Sequence, residues 1–268
     1  DGNVATPNKA EIENMLYMNQ VEEGWRADGW YEIDGAEDVG TDNDTDWYYF
    51  DDGEAKRADS DKDFAQIKDN DETPIWRAKI KIKASNNKYF CFDEVGRMQT
   101  GLQYIPAAKG FYYFDDNGYQ KTGRVTSVEN DDDDYTFYFN TKNGKNGQGY
   151  KGLKDDYLYF NGKKLTADDE NRLYFYNDKI YLVNSKGKIQ KGKKGYNIEN
   201  SSIAEDKVSV EFNSDSSDKS ITLDEGKGTS YTAAQLLAMS LNTDSTTSDY
   251  VDEDGRYDDA YVTIPFIQ

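Results

Sequence analysis

The sequence predicts a mainly β protein: a solenoid of stacked β-hairpin repeats of about 20–22 residues each, with a short N-terminal helix and a small mixed α/β cap or domain at its C-terminal end. Three observations lead there. The first is a unit of strand, turn and glycine-closed second strand over 111–123, from Phe111 to Gly123, which recurs along most of the chain. The second is its spacing. The last apolar residues of successive strands, Phe92, Phe114, Phe139, Phe160 and Leu182, lie 22, 25, 21 and 22 apart, and Phe50 lies 42 before Phe92. A glycine pair keeps a tighter register, with Gly96 and Gly101, Gly118 and Gly123, Gly144 and Gly149, and Gly187 and Gly192 each five apart. The third is composition: 22 Tyr and 12 Phe against scarce Leu, Ile and Val, so that a core must be built from rings.

Taken in order, the chain opens with a helix signal over 6–20. Thr6 can cap it, Pro7 suits the first helical position, and Ile12, Met15, Leu16 and Met18 fall on one face. Such a helix at residues 1–22 would cover the open edge of the repeat array. The repeats are placed at 23–195. Gly24 and Trp25 lead into 29–35, which reads as a compact hairpin closing at Asp34 and Gly35. After an acidic stretch, Trp47 opens the next unit, 47–53. Residues 59–72 form a polar insertion ahead of Ile75 and Trp76, and 80–83 is a strand with one wet face. Further strands are expected at 89–92, 111–114, 137–139, 157–160 and around Tyr181 and Leu182. The pattern frays after Tyr196. The last part, 196–268, is expected to contain strands at 208–212, 220–223 and 261–264 and a helix at 232–241.

The unit has a simple physical basis. A lone hairpin cannot bury its apolar face, whereas stacked hairpins bury one row of rings against the next. The Asp-Asn-Gly and Asn-Gly turns supply the left-handed backbone that tight hairpins need.

Charge narrows the function. The net is −20, and its distribution is uneven: residues 34–72 carry fifteen acidic against four basic side chains, residues 141–195 thirteen basic against six acidic. A surface this acidic disfavours nucleic acid as a partner. The basic segment reads first as a solvated face. Cys91 is the only cysteine, so there is no intrachain disulfide, and its place between Phe90 and Phe92 makes it a small buried hydrophobe. No stretch has the roughly 18 apolar residues of a membrane span, so membrane insertion is not expected. No signal peptide is recognisable, and a start at Asp1 suits a mature or trimmed secreted chain.

The aromatic-turn-glycine units resemble the bacterial cell-wall-binding repeats shared by choline-binding and glucan-binding proteins, and are similar in strand pattern to the clostridial toxin C-terminal repeats. Gly24-Trp25 with Trp30-Tyr31, residues 47–50, and Met98 to Gly101 match parts of that unit, over roughly 23–194. The resemblance implies a secreted or cell-surface protein that holds its ligand on aromatic side chains between successive hairpins. Choline sites in this family use cages of two Trp and one Tyr around a quaternary ammonium. Here Leu102, Arg124 and Leu153 follow the unit glycines, and Tyr89, Phe111 and Tyr157 start the strands, where such a repeat wants Trp. Open aromatic platforms suit a sugar ring better, with neighbouring Asp, Asn and Gln for its hydroxyls. The partner implied is therefore a polysaccharide, glucan or cell-wall glycan. Its binding residues are assigned to Trp25, Trp30, Tyr31, Trp47, Tyr48, Trp76, Phe111 and Tyr112. Core packing is the competing assignment for each tryptophan. The alternatives are a choline or teichoic-acid anchor and a structural spacer or protein-interaction module.

Catalysis is not expected. With no histidine and one buried cysteine, neither a Ser-His-Asp nor a Cys-His arrangement can be built. Paired carboxylates could hydrolyse a glycoside, but 52 acidic residues make chance pairs common. No cofactor is implied. Metal is not expected either. Asp42, Asp44 and Asp46 alternate, as do Asp59, Asp61 and Asp63, yet an EF-hand loop would put Gly at its sixth and Glu at its twelfth position. Those places hold Trp47 and Gly53 in the first run, Phe64 and Asn70 in the second.

Overall fold

The structure is a computed structural model, and it describes residues 15–18, 24–35, 45–59, 62–67, 70–130, 133–142, 146–177, 179–192, 194–198, 208–213, 216–223 and 230–231. The fold is mainly β, with several small antiparallel sheets in two compact units. The described residues up to Thr122 belong to the first, and those from Gly123 to the second.

The repeat is visible at atomic level in its turns. The residue just after a strand's apolar run is Asp93, Asp115 or Asn184, and its side chain accepts hydrogen bonds from the backbone of the turn that follows. Asp93 Oδ1 accepts from the N–H groups of Val95, Gly96 and Arg97 at 2.8–3.0 Å. Asp115 Oδ1 accepts from Asn117 and Tyr119, and Asn184 Oδ1 from Lys186 and Lys188. Each turn is also closed by the glycine three residues on, whose N–H donates to the same residue's carbonyl: Gly96 to Asp93, Gly118 to Asp115, Gly187 to Asn184. A short acceptor side chain competes well for free backbone donors, which explains Asp or Asn at this place.

In the first unit, Gly29–Asp34, Thr45–Asp51 and Glu54–Ala55 form one antiparallel sheet. Ala78–Ile82, Lys88–Phe92 and Met98–Gln99 form another, and Gly101–Ile105 pairs with Gly110–Phe114 across a 3-10 turn at Pro106–Ala108. The Ala78–Gln99 sheet is covered on both faces. Phe90 and Phe92 pack with Trp30 and Tyr49 of the first sheet, while Cys91 packs with Ile105, Tyr112 and Phe114 of the next hairpin. Alternate residues of one strand thus serve two neighbouring layers, which is how an aromatic chain poor in aliphatics obtains a core.

The second unit is built differently. Gly123–Asn130, Asp133–Phe139, Lys163–Lys164, Tyr157–Phe160 and Gly152–Lys154 lie in that order in one five-stranded sheet. Asn171–Tyr176 pairs with Lys179–Asn184, and Lys194–Tyr196, Val208–Phe212, Asp218–Leu223 and Ser230–Tyr231 make a four-stranded sheet. The regular solenoid of separate hairpins is not reproduced here, because Lys163–Lys164 bridges two hairpins through its pairing of Lys163 with Phe137.

Four local expectations are corrected. Met15 to Met18 are not helical. Met18 bridges Arg26, the Tyr17 N–H donates to the Gly53 carbonyl at 2.8 Å, and the Tyr17 ring stacks on Phe50 at 4.7 Å. An extended segment with one ring thus covers the sheet, in place of a helix; the helix signal before Met15 lies outside the described residues. The stretch 29–35 is one strand, whose partner is Thr45–Asp51. The polar insertion contains a hairpin, Phe64–Ile67 with Asn70–Trp76. The second arm of the 111–123 unit is reduced to a single bridge, Phe114 with Gln120. The expected helix at 232–241 and strand at 261–264 lie outside the described residues.

Candidate ligand-binding surface

Pairing of Gly29–Asp34 with Thr45–Asp51 sorts the aromatic residues onto two faces. Trp30 lies opposite Tyr49 and Glu32 opposite Trp47, so these four share one face, while Tyr31 opposite Tyr48 belongs to the other. Both faces are packed near Phe50 and open toward Asp34. Trp30 is half-buried among Tyr49, Phe90 and Phe92, with ring centroids at 5.2, 4.7 and 6.0 Å, and its Nε1 donates to Ser85 Oγ at 2.8 Å. Two residues along the same face, Trp47 is 43% exposed, and Trp25 beside Gly24 is 66% exposed. Tyr31 is half-buried, its ring edge-on to Tyr17 and Phe50.

Burial corrects three of the assigned residues. Tyr48, Phe111 and Tyr112 are 7%, 1% and 4% exposed, their rings enclosed by neighbouring rings and aliphatic side chains. They face the core because their strands are covered on both sides, which the alternation of a strand with one wet face does not anticipate. Trp76 is half-buried and tilts against Phe64 at 4.8 Å, with Phe64 itself 40% exposed. The assigned residues are therefore not gathered into one cage. Trp30 and Trp47 share a face, and Trp76 lies on a separate hairpin.

Lysines occupy many of the remaining ring faces. Lys79 Nζ lies 4.1 Å from the Tyr112 centroid and 5.0 Å from that of Tyr89, and Lys88 Nζ lies 5.1 Å from Tyr119. In the second unit Lys154 sits over Tyr138 at 4.8 Å, Lys151 over Phe160 at 4.2 Å and Lys163 over Tyr135 at 3.5 Å. A face that already holds an ammonium has little attraction left for a second cation.

The second unit also holds a tyrosine cluster absent from the sequence assignment. Tyr138 meets Tyr150 and Tyr159 at 5.6 and 5.8 Å, and Tyr157 meets Tyr159 at 6.5 Å. Tyr150 OH donates to the Leu153 carbonyl at 3.0 Å. The alternation of Tyr157 and Tyr159 is legible in the sequence; Tyr150 is not, because it is brought in from a connecting loop by its N–H bond to the Tyr138 carbonyl at 2.9 Å. Burial pushes the Tyr159 and Tyr176 hydroxyls up, so they stay protonated and able to donate at neutral pH.

Among the described residues the one enclosed carboxylate, Asp93, is 1% exposed and is bound by three backbone N–H groups and by Arg97 Nε at 2.6 Å. Burial pushes its carboxyl upward, opposed by Arg97. Every oxygen is committed to holding the turn, so it has the character of a structural knot. Among the described residues no group of three or more His, Cys, Asp or Glu side chains is placed to hold a metal ion.

Solved structures to which the chain is similar include two choline-binding proteins. Choline binding protein F from Streptococcus pneumoniae is 19% identical, with 76% of this chain and 53% of that chain covered and a TM-score of 0.40. CbpJ from Streptococcus pneumoniae is 17% identical, over 90% of this chain and 89% of that one, with a TM-score of 0.39. An alternansucrase in complex with isomaltononaose is 17% identical, over 76% of this chain and 16% of that one, with a TM-score of 0.29. The chain spans about half the length of choline binding protein F. No protein-family model and no curated protein sequence matches it.

Proposed function

We propose that this chain is a non-catalytic, secreted bacterial surface protein that binds polysaccharide, a glucan or cell-wall glycan, through indole faces left outside the aromatic core. The observation that carries the proposal is the contrast among tryptophans of the first unit. Trp30 is half-buried and held by its Nε1 bond to Ser85 and by neighbouring rings, whereas Trp25 and Trp47 present 66% and 43% of their surface. Indole is costly to leave in water, and its flat face matches the apolar face of a pyranose. Glu32 opposite Trp47 brings a carboxylate beside that indole for sugar hydroxyls. The half-buried tyrosines of the second unit would add weaker contacts, and several weak contacts on one polymer gain avidity. Among the described residues no helix is long and apolar enough to cross a membrane.

Affinity electrophoresis in native gels cast with soluble starch, dextran, β-glucan or wall polysaccharide tests the proposal. Retardation by a polymer, lost in the double variant Trp25→Ala, Trp47→Ala with its fold intact, is the expected result. Retention on a choline resin without glycan retardation would assign the anchor function instead. No interaction with any of these would leave a structural spacer.

A further inference from the structure

We propose that a pocket in the first unit, separate from the exposed indoles, receives an acidic sugar, with the anionic group seated on the Lys79 ammonium. The pocket has a volume of about 610 Å³, in the range of one or two sugar rings. Its apolar lining comes from Ala55, Ala78, Ile80, Ile105 and Ala108, aliphatic side chains that can pack on the apolar face of a pyranose ring. Its polar lining comes from Lys56, Arg57, Lys62 and Lys79 with Glu54, Asp59 and Asp63.

Lys79 differs from the other pocket lysines. Lys56 is paired with Asp51 at 2.7 Å, and Lys62 with Asp59 at 3.0 Å. The Lys79 ammonium rests on the rings of Tyr112 and Tyr89, and among the described residues no carboxylate is paired with it. It lies opposite Cys91 in the sheet, on the face where Cys91 packs with Ile105 and Tyr112. Burial pushes its pKa down, the mark of a charge short of polar partners. Two ring faces stabilise an ammonium in part and leave its N–H donors for oxygen acceptors. A carboxylate or phosphate entering the pocket would supply those acceptors and form a charge-assisted hydrogen bond in a partly desolvated place. A quaternary ammonium would meet like charge there.

The inference rests on the glycan-binding proposal for the sugar portion of the ligand and on Lys79 for its charge. Isothermal titration calorimetry with trigalacturonate, its neutral methyl ester and glucose 6-phosphate tests it, using the whole chain and the variants Lys79→Met and Lys79→Arg. Met keeps the apolar stem and removes the charge; Arg keeps the charge. The expected result is binding of trigalacturonate or glucose 6-phosphate but not of the ester, at least tenfold weaker in Lys79→Met and largely retained in Lys79→Arg. Response to one anion alone identifies carboxylate or phosphate as the group preferred. Equal binding by Lys79→Met, equal binding of the ester, or no binding of either anion would overturn the inference. Gel retardation by neutral polymers, which depends on Trp25 and Trp47, would stand or fall independently.

Discussion

The Trp30 indole nitrogen donates to Ser85 Oγ at 2.8 Å, joining two sheets of the first unit through a side chain that the sequence leaves open between core and ligand. Its rings meet Phe90 and Phe92 as well. Trp30→Ala is expected to destabilise the unit by about 2–3 kcal/mol, below the range for a fully buried large aromatic because Trp30 is half-buried. Trp47→Ala should cost about 1 kcal/mol and act instead on polymer retardation. Urea denaturation of both variants beside native gels separates the two roles.

Gly118 and Gly101 both have left-handed backbone, at φ +74° and +73°, but in different surroundings. A Cβ on Gly118 would run into Met98 Sδ and come within 2.9 Å of Phe90 Cδ1, whereas one on Gly101 meets nothing within 4 Å. Gly101→Ala should cost about 1–2 kcal/mol for the backbone alone. Gly118→Ala should cost that and about 1–3 kcal/mol more for overpacking. Equal thermal shifts in the two variants would contradict this packing.

Asp93 gives a pH signature. Its carboxyl is pushed upward by burial, so the folded state holds the proton more tightly than the unfolded chain. Its contribution is therefore fully present below the ordinary carboxylate range and is lost as pH rises through that range to the folded value. Asp51, held low by Lys56, has the opposite sign: its contribution is present above the ordinary carboxylate range and is lost as pH falls through its folded value. Asp93→Asn should remove the first dependence and keep the second, read as unfolding midpoints from pH 3 to 8. An unchanged pH profile would contradict it.

Cys91 is fully buried, and its thiol is pushed up to about 12, chiefly by burial. Thiolate is the reactive form, so native protein should resist iodoacetamide at pH 8 and become labelled once unfolded in urea. Rapid labelling of the native chain would contradict the packing of Cys91 with Ile105, Tyr112 and Phe114.

The lysines over tyrosine faces predict weak choline binding. Choline at millimolar concentration should leave the intrinsic fluorescence and melting temperature unchanged, because Lys79 and Lys154 already occupy ring faces at 4.1 and 4.8 Å. A saturable rise in melting temperature with choline would show a cage formed elsewhere.

Local physics was legible in the sequence. The period of Phe92, Phe114 and Phe139, the strands at Lys88–Phe92, Gly110–Phe114 and Tyr157–Phe160, and Cys91 as a buried hydrophobe all follow from alternation and turn residues close in the chain. The turn-holding Asp93 and Asp115 belong to the same local chemistry. Partnership over long separations was decided only by the tertiary structure. Met15, Leu16 and Met18 have helical spacing, yet Met18 bridges Arg26 and the Tyr17 N–H is bound by the Gly53 carbonyl, where sheet pairing outweighs a helical pattern worth a few tenths of a kcal/mol per residue. Trp30, Trp47 and Tyr112 look alike as aromatic residues in strands. Whether a ring meets another sheet, solvent or a lysine depends on what is layered above it, and one strand's sequence contains no record of its neighbour's face.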